Sequence, residues 1–189
     1  MTAKQMAQAE LVALQQIVDG VKDADTEALE KEIAQAKRIF VGGAGRSLLS
    51  MKGFAMRLMQ TGHETYLVGE VCTPSVQPGD LLIVGSGSGE TKVTLDVVNK
   101  AKGHGARVAV LTMHGNSPIA QACDWAGVLA GIPAVSPEDT EVSIFAKKNL
   151  GGNFFEASVT LVLDGIIGSL MVQKGQTGEI IRYNHANLE

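Results

Sequence analysis

From Arg38 onward, short apolar runs recur with longer helical patterns between them: IFV at 39–41, YLV at 66–68, LLIV at 81–84, VAVL at 108–111 and GVLA at 127–130. Runs this short, apolar at successive positions, suit strands covered on both faces. Between the first two, Leu48, Met51, Ala55, Leu58 and Met59 keep helical spacing and end near Gly62. Between the third and fourth, Thr94, Val97, Val98 and Ala101 do the same and end at Gly103. A strand–helix–strand order joins parallel neighbours, because the crossover must span the sheet and return. The pattern predicts an α/β fold: a three-layer αβα sandwich with a five-stranded parallel sheet, flavodoxin-like in plan.

Residues 1–36 read as two helices packing on that domain, with Leu11, Leu14 and Val18 along the first and Ala28, Leu29, Ile33 and Ala36 along the second. The 189 residues therefore read as one domain, long enough to bury roughly 70% of the unfolded surface. Residues 131–152 have weak periodicity and two prolines, Pro133 and Pro137, and read as a functional loop or an oligomer contact. Phe155, Val159, Val162, Leu163, Ile166 and Leu170 then mark a long helix. Phe154, Leu161 and Ile167 make it apolar on a second face, which implies burial, with another subunit as one possible cover.

The formal net charge is −4 and the longest basic run is Lys147-Lys148, so nucleic acid is not an expected partner. Cys72 and Cys123 match no metal-binding spacing and are expected as buried thiols. The first residues lack the continuous apolar stretch of a signal peptide. Val159–Val172 is interrupted by Asp164 and falls short of the roughly 20 residues a membrane span needs. A soluble, cytoplasmic protein with no membrane partner is expected.

Two segments leave strands at the carboxyl edge, where open parallel sheets bind ligands. They are Gly42-Gly43-Ala44-Gly45-Arg46-Ser47 and Gly85-Ser86-Gly87-Ser88-Gly89-Glu90-Thr91. In the second, glycines let amide groups face a ligand, the following helix start adds partial positive charge, and Ser86, Ser88 and Thr91 supply hydroxyls. Together these suit a phosphate dianion, although a plain turn with Ser88 or Thr91 as a helix cap uses similar residues. Glu90 and Leu48 stand where a dinucleotide fingerprint needs glycine, and Glu90 also breaks the P-loop pattern. The nucleophile-elbow pattern fails around Ser88.

His63, His104 and His114 read as surface or turn residues with no metal spacing. His185 lies in the polar terminal HANLE, where a frayed end and a functional group are equally good accounts. Glu156 falls in the first turn of the buried helix. On the residues alone it is most simply a carboxylate complementing the helix dipole. Glu138, Asp139 and Glu141 read as a solvated acidic cluster.

GAGRS (43–47), FAMRLMQTG (54–62), TPSVQPGDLLIVGSGSGET (73–91), Phe155-Glu156 and the terminal HANLE (185–189) together resemble the 6-phospho-3-hexuloisomerases of the sugar isomerase (SIS) family. The resemblance implies an enzyme that interconverts D-arabino-3-hexulose 6-phosphate and D-fructose 6-phosphate through a cis-enediol, in the ribulose monophosphate pathway of formaldehyde fixation. It implies no cofactor or metal, and a homotetramer with sites near subunit boundaries. By the same resemblance, Arg46, Ser47, Ser86, Gly87, Ser88, Gly89, Glu90 and Thr91 contact the substrate, Glu156 is the proton-accepting base, and His185 assists ring opening or proton shuttling. The chain departs from the family at Ala157, where glutamine is usual, at Asn149-Leu150-Gly151-Gly152 and at Asn184. A non-catalytic sugar-phosphate sensor, or an isomerase of a pentose or heptose phosphate, would share the same loop.

Overall fold

The computed structural model describes residues 1–128 and 133–188. Five parallel strands form one sheet in the order β2-β1-β3-β4-β5: β1 Ile39–Gly43, β2 Thr65–Leu67, β3 Leu81–Gly85, β4 Arg107–Thr112 and β5 Trp125–Val128. All four pairings are parallel. The first four apolar runs fall on β1 to β4, with Val68 one residue past β2; β5 starts at Trp125, two residues ahead of the expected fifth run, whose Leu129 and Ala130 lie outside the described residues.

Side chains alternate across the sheet and explain why the runs are apolar throughout. Ile39, Val41, Leu81, Ile83, Ala109 and Leu111 enter one core, closed by α1 Ala3–Asp19, α2 Asp23–Gln35, α3 Gly45–Gln60 and α7 Gly151–Gln173. Phe40, Leu82, Val84, Val108 and Val110 enter the other, closed by α4 Lys92–Gly103 and α5 Pro118–Ala122. Each fully buried leucine or isoleucine contributes about 1.5–3 kcal/mol against exposure. The crossover α3 thus lies on one face and α4 on the other. The strand order reverses between β1 and β3, the position at which an open parallel sheet leaves a crevice at its carboxyl edge.

Several expectations need correction. The first helix turns Ala13, Leu14 and Ile17 inward and leaves Leu11 and Val18 exposed, because the Ala13–Leu14–Ile17 face is the one that meets the core. Residues 141–149 form a helix, α6 Glu141–Asn149, whose Thr140 caps the Ser143 amide at 3.2 Å. Asp139 is not a solvated carboxylate. It pairs with Lys147 at 2.8 Å, both side chains are largely enclosed, and Lys147 first, then the Ser136 amide, hold its carboxyl down to about 2. Cys72 is exposed and Cys123 only half-buried, and burial pushes the Cys123 thiol up to about 12. A last short helix, α8 Gly178–Tyr183, follows α7.

The buried helix α7 is longer than its apolar stretch indicates, and by length and composition alone it could cross a membrane. Phe154, Phe155, Val159, Leu163, Ile166, Ile167 and Leu170 are instead packed inside the domain.

Candidate active site

Both glycine-containing segments border the crevice between β1 and β3, and Gly43 stands opposite Gly85 in register. Neither following helix is closed by a side chain: Ala44 has none to offer α3, and Thr91, at the N-cap of α4, makes no capping bond. The starts of α2 and α7 are uncapped as well, whereas α1, α5, α6 and α8 are capped by Thr2, Ser117, Thr140 and Thr177. The first amides of α3 and α4 therefore keep donors for an anion. The plain-cap account of Thr91 does not hold.

Within the bend, Ser86 is buried and its hydroxyl lies 3.4 Å from the Thr91 hydroxyl, while accepting from the Gly89 amide at 3.2 Å. Ser88 and Glu90 are exposed, and the Glu90 amide donates to Ser88 Oγ at 3.2 Å. Gly89 has φ +65, and a side chain there would run into Ser117, so this position requires glycine. Gly87 lies under the ring of Phe155, which couples the bend to α7.

Glu156 is the sixth residue of α7, beyond the first turn, because the helix starts at Gly151 and has no acidic residue in that turn. The dipole account of Glu156 is thereby displaced. Its side chain is 15% exposed and meets the start of α3: Ser47 Oγ is 3.5 Å from Oε1 and Arg46 Nε is 3.6 Å from Oε2. Glu156 Oε2 is buried and has no hydrogen-bond partner among the described residues. The Arg46 guanidinium is an ion-pair partner beyond hydrogen-bond distance, so this oxygen keeps the capacity to accept a hydrogen bond. Ser50, one turn after Ser47, donates to the Glu156 carbonyl at 3.2 Å. Its spacing from Ser47 on a helix was the available signal for this residue, which sequence reading passed over.

The structure thus brings together Arg46, Ser47 and Glu156, with Ser86–Thr91 joined to them through Gly87 and Phe155. It does not bring His185. That residue is exposed, and its neighbour Asn184 donates to the Gln60 carbonyl at the far end of α3. Ser47 and Gln60 are separated by roughly 20 Å of helix. Of the other histidines, His104 and His114 are exposed. His63 is half-buried, and burial first, then Lys174, lowers its pKa.

The SIS domain pattern matches residues 32–133, more than half of the chain. This chain belongs to the SIS family. The match takes in both segments of the crevice and stops short of Glu156. Over 176 residues, covering 93% of this SIS chain and 94% of its relative, it is 39% identical to the 3-hexulose-6-phosphate isomerase of Methylomonas aminofaciens. It is 38% identical over 169 residues to the protein of that name from Bacillus subtilis (strain 168), covering 89% of each. Among solved structures, a Methanococcus jannaschii protein for which a function of 3-hexulose-6-phosphate isomerase was inferred superposes with a TM-score of 0.80 at 28% identity. That superposition covers 95% of this chain and 99% of the other.

Proposed function

We propose that this SIS protein is an isomerase interconverting D-arabino-3-hexulose 6-phosphate and D-fructose 6-phosphate, the second step of formaldehyde fixation by the ribulose monophosphate route. The observation that carries the reading is the Glu156 carboxylate, ion-paired with Arg46 and with one buried oxygen free of hydrogen bonds among the described residues, facing Ser47 beside the Ser86–Thr91 bend.

The reaction moves a carbonyl between C3 and C2. Glu156 takes the proton from C2 of the 3-hexulose, the electron pair forms the C2–C3 double bond, and the C3 oxygen becomes an enediol oxygen. Glu156 then returns a proton to C3 while the C2 oxygen becomes the carbonyl. A single carboxylate within about 3 Å of both carbons serves both steps. The Arg46 guanidinium offers positive charge where the enediolate forms, and the Ser47 hydroxyl can exchange protons with its oxygens. The bend holds the phosphate away from the reacting carbons, and that binding supplies orientation.

His185 reaches such a site only from a second copy, so we read the active form as a homo-oligomer, a tetramer by resemblance. In support, the single chain exposes 10247 Å², against ~8,600 Å² typical of a compact monomer of this length. Leu161 and Val172 on α7, and Leu49 and Met56 on α3, are among its exposed apolar residues. We also read the enzyme as cytoplasmic, since phosphorylated sugars are kept inside cells by their charge.

Incubating 3-hexulose 6-phosphate with the protein and following the sugar by proton NMR tests the reading. Formation of fructose 6-phosphate is expected; a bound but unchanged sugar would make the protein a sensor.

A further inference from the structure

The Ser86–Thr91 bend is held from beneath by the end of β4, to which the mechanism above gives no role. The Gly87 carbonyl accepts from Thr112 Oγ1 at 3.2 Å and from the Met113 amide at 3.1 Å, and the Gly89 carbonyl accepts from the Ile119 amide at 3.0 Å. In a trans peptide the carbonyl and the next amide point in opposite directions. Turning the Gly87 carbonyl into the protein therefore turns the Ser88 amide outward. That amide has no acceptor among the described residues.

Thr112 is completely buried, and both capacities of its hydroxyl are used here: it donates to Gly87 and accepts from the His114 amide at 3.2 Å. A buried strand end needs a β-branched shape, which valine supplies equally well. The hydroxyl is explained by the bend.

We infer that Thr112 is a positioning residue for sugar-phosphate binding: its hydroxyl fixes the Gly87–Ser88 peptide with the amide facing the ligand. This rests on the reading of the bend as the phosphate holder.

The test compares wild type, Thr112→Val, Thr112→Ser, Ser86→Ala and Ser88→Ala, with fructose 6-phosphate as substrate and inorganic phosphate as competing inhibitor. Losing the oriented amide should raise both KM and the phosphate inhibition constant about five- to tenfold in Thr112→Val. Its kcat should stay within about twofold of wild type, and Thr112→Ser should restore both binding constants. The inference is overturned if Thr112→Val leaves them unchanged, if its loss falls in kcat alone, or if Thr112→Ser is as damaging. Should the two serine variants weaken phosphate inhibition while Thr112→Val does not, only the role of Thr112 falls. Should neither serine variant weaken it, the bend is not the anion site and Thr112 loses its role with it.

Discussion

The ring of Phe155 lies against Gly87, so closely that a Cβ added to the glycine would stand 3.0 Å from Cγ and 3.1 Å from Cδ1. One residue further along α7 is Glu156. The bend proposed to hold the phosphate and the candidate base are therefore registered to each other through this aromatic contact.

Gly87→Ala should force that contact apart. Overpacking of this kind costs about 1–3 kcal/mol, and a shift of about 1 Å in the base relative to the phosphate costs up to about 100-fold in rate. Steady-state kinetics should show kcat/KM falling well beyond what thermal unfolding explains. Adding Phe155→Leu should recover part of the loss, because the two residues are in contact and their effects are coupled. Full activity in Gly87→Ala would mean that the contact does not set the geometry.

His185 and Glu156 belong to opposite ends of the α3 region within one chain. If a neighbouring copy supplies the histidine, His185→Ala and Glu156→Gln chains should each be inactive alone. Mixed after dissociation and reassociation, they should regain activity, because hybrid sites pair an intact Glu156 with an intact His185. An inert mixture would place both groups of a site in one chain, and full activity of His185→Ala alone would remove the histidine from catalysis.

The Asp139–Lys147 pair predicts a pH dependence of stability. The folded carboxyl is held down to about 2, against an ordinary value of 3.8. As the pH falls below about 4, the unfolded chain takes up the proton first, so the stabilisation is complete above that value and is lost as the pH approaches about 2. Urea midpoints of wild type and Asp139→Asn should differ at pH 6, draw closer by about pH 3 and converge only as the pH approaches about 2. A gap that stays constant would mean that the pairing does not lower the folded pKa.

The central strands β1, β3 and β4 were legible because they are sandwiched between two helical layers, so apolar residues occupy successive positions. The 85–91 bend was legible for a different reason: few roles need three hydroxyls and three glycines in seven residues. α6 was not, since it is held by the Thr140 cap and the Asp139–Lys147 pair and not by an apolar stripe. The start of α7 was hidden too, because Gly151-Gly152 is a poor helix opening. Glu156 consequently read as a first-turn residue. No local pattern could report that Asn184 anchors the tail at Gln60, a contact between residues 124 positions apart.

Exchange of the C3 proton of fructose 6-phosphate in deuterated water reads the proposed base most directly, because it requires removal of that proton whether or not the isomer accumulates. Wild type should wash out the C3 signal, and Glu156→Gln should slow the exchange by about 100-fold or more with phosphate inhibition nearly unchanged. Exchange by Glu156→Gln at the wild-type rate would contradict the role given to Glu156.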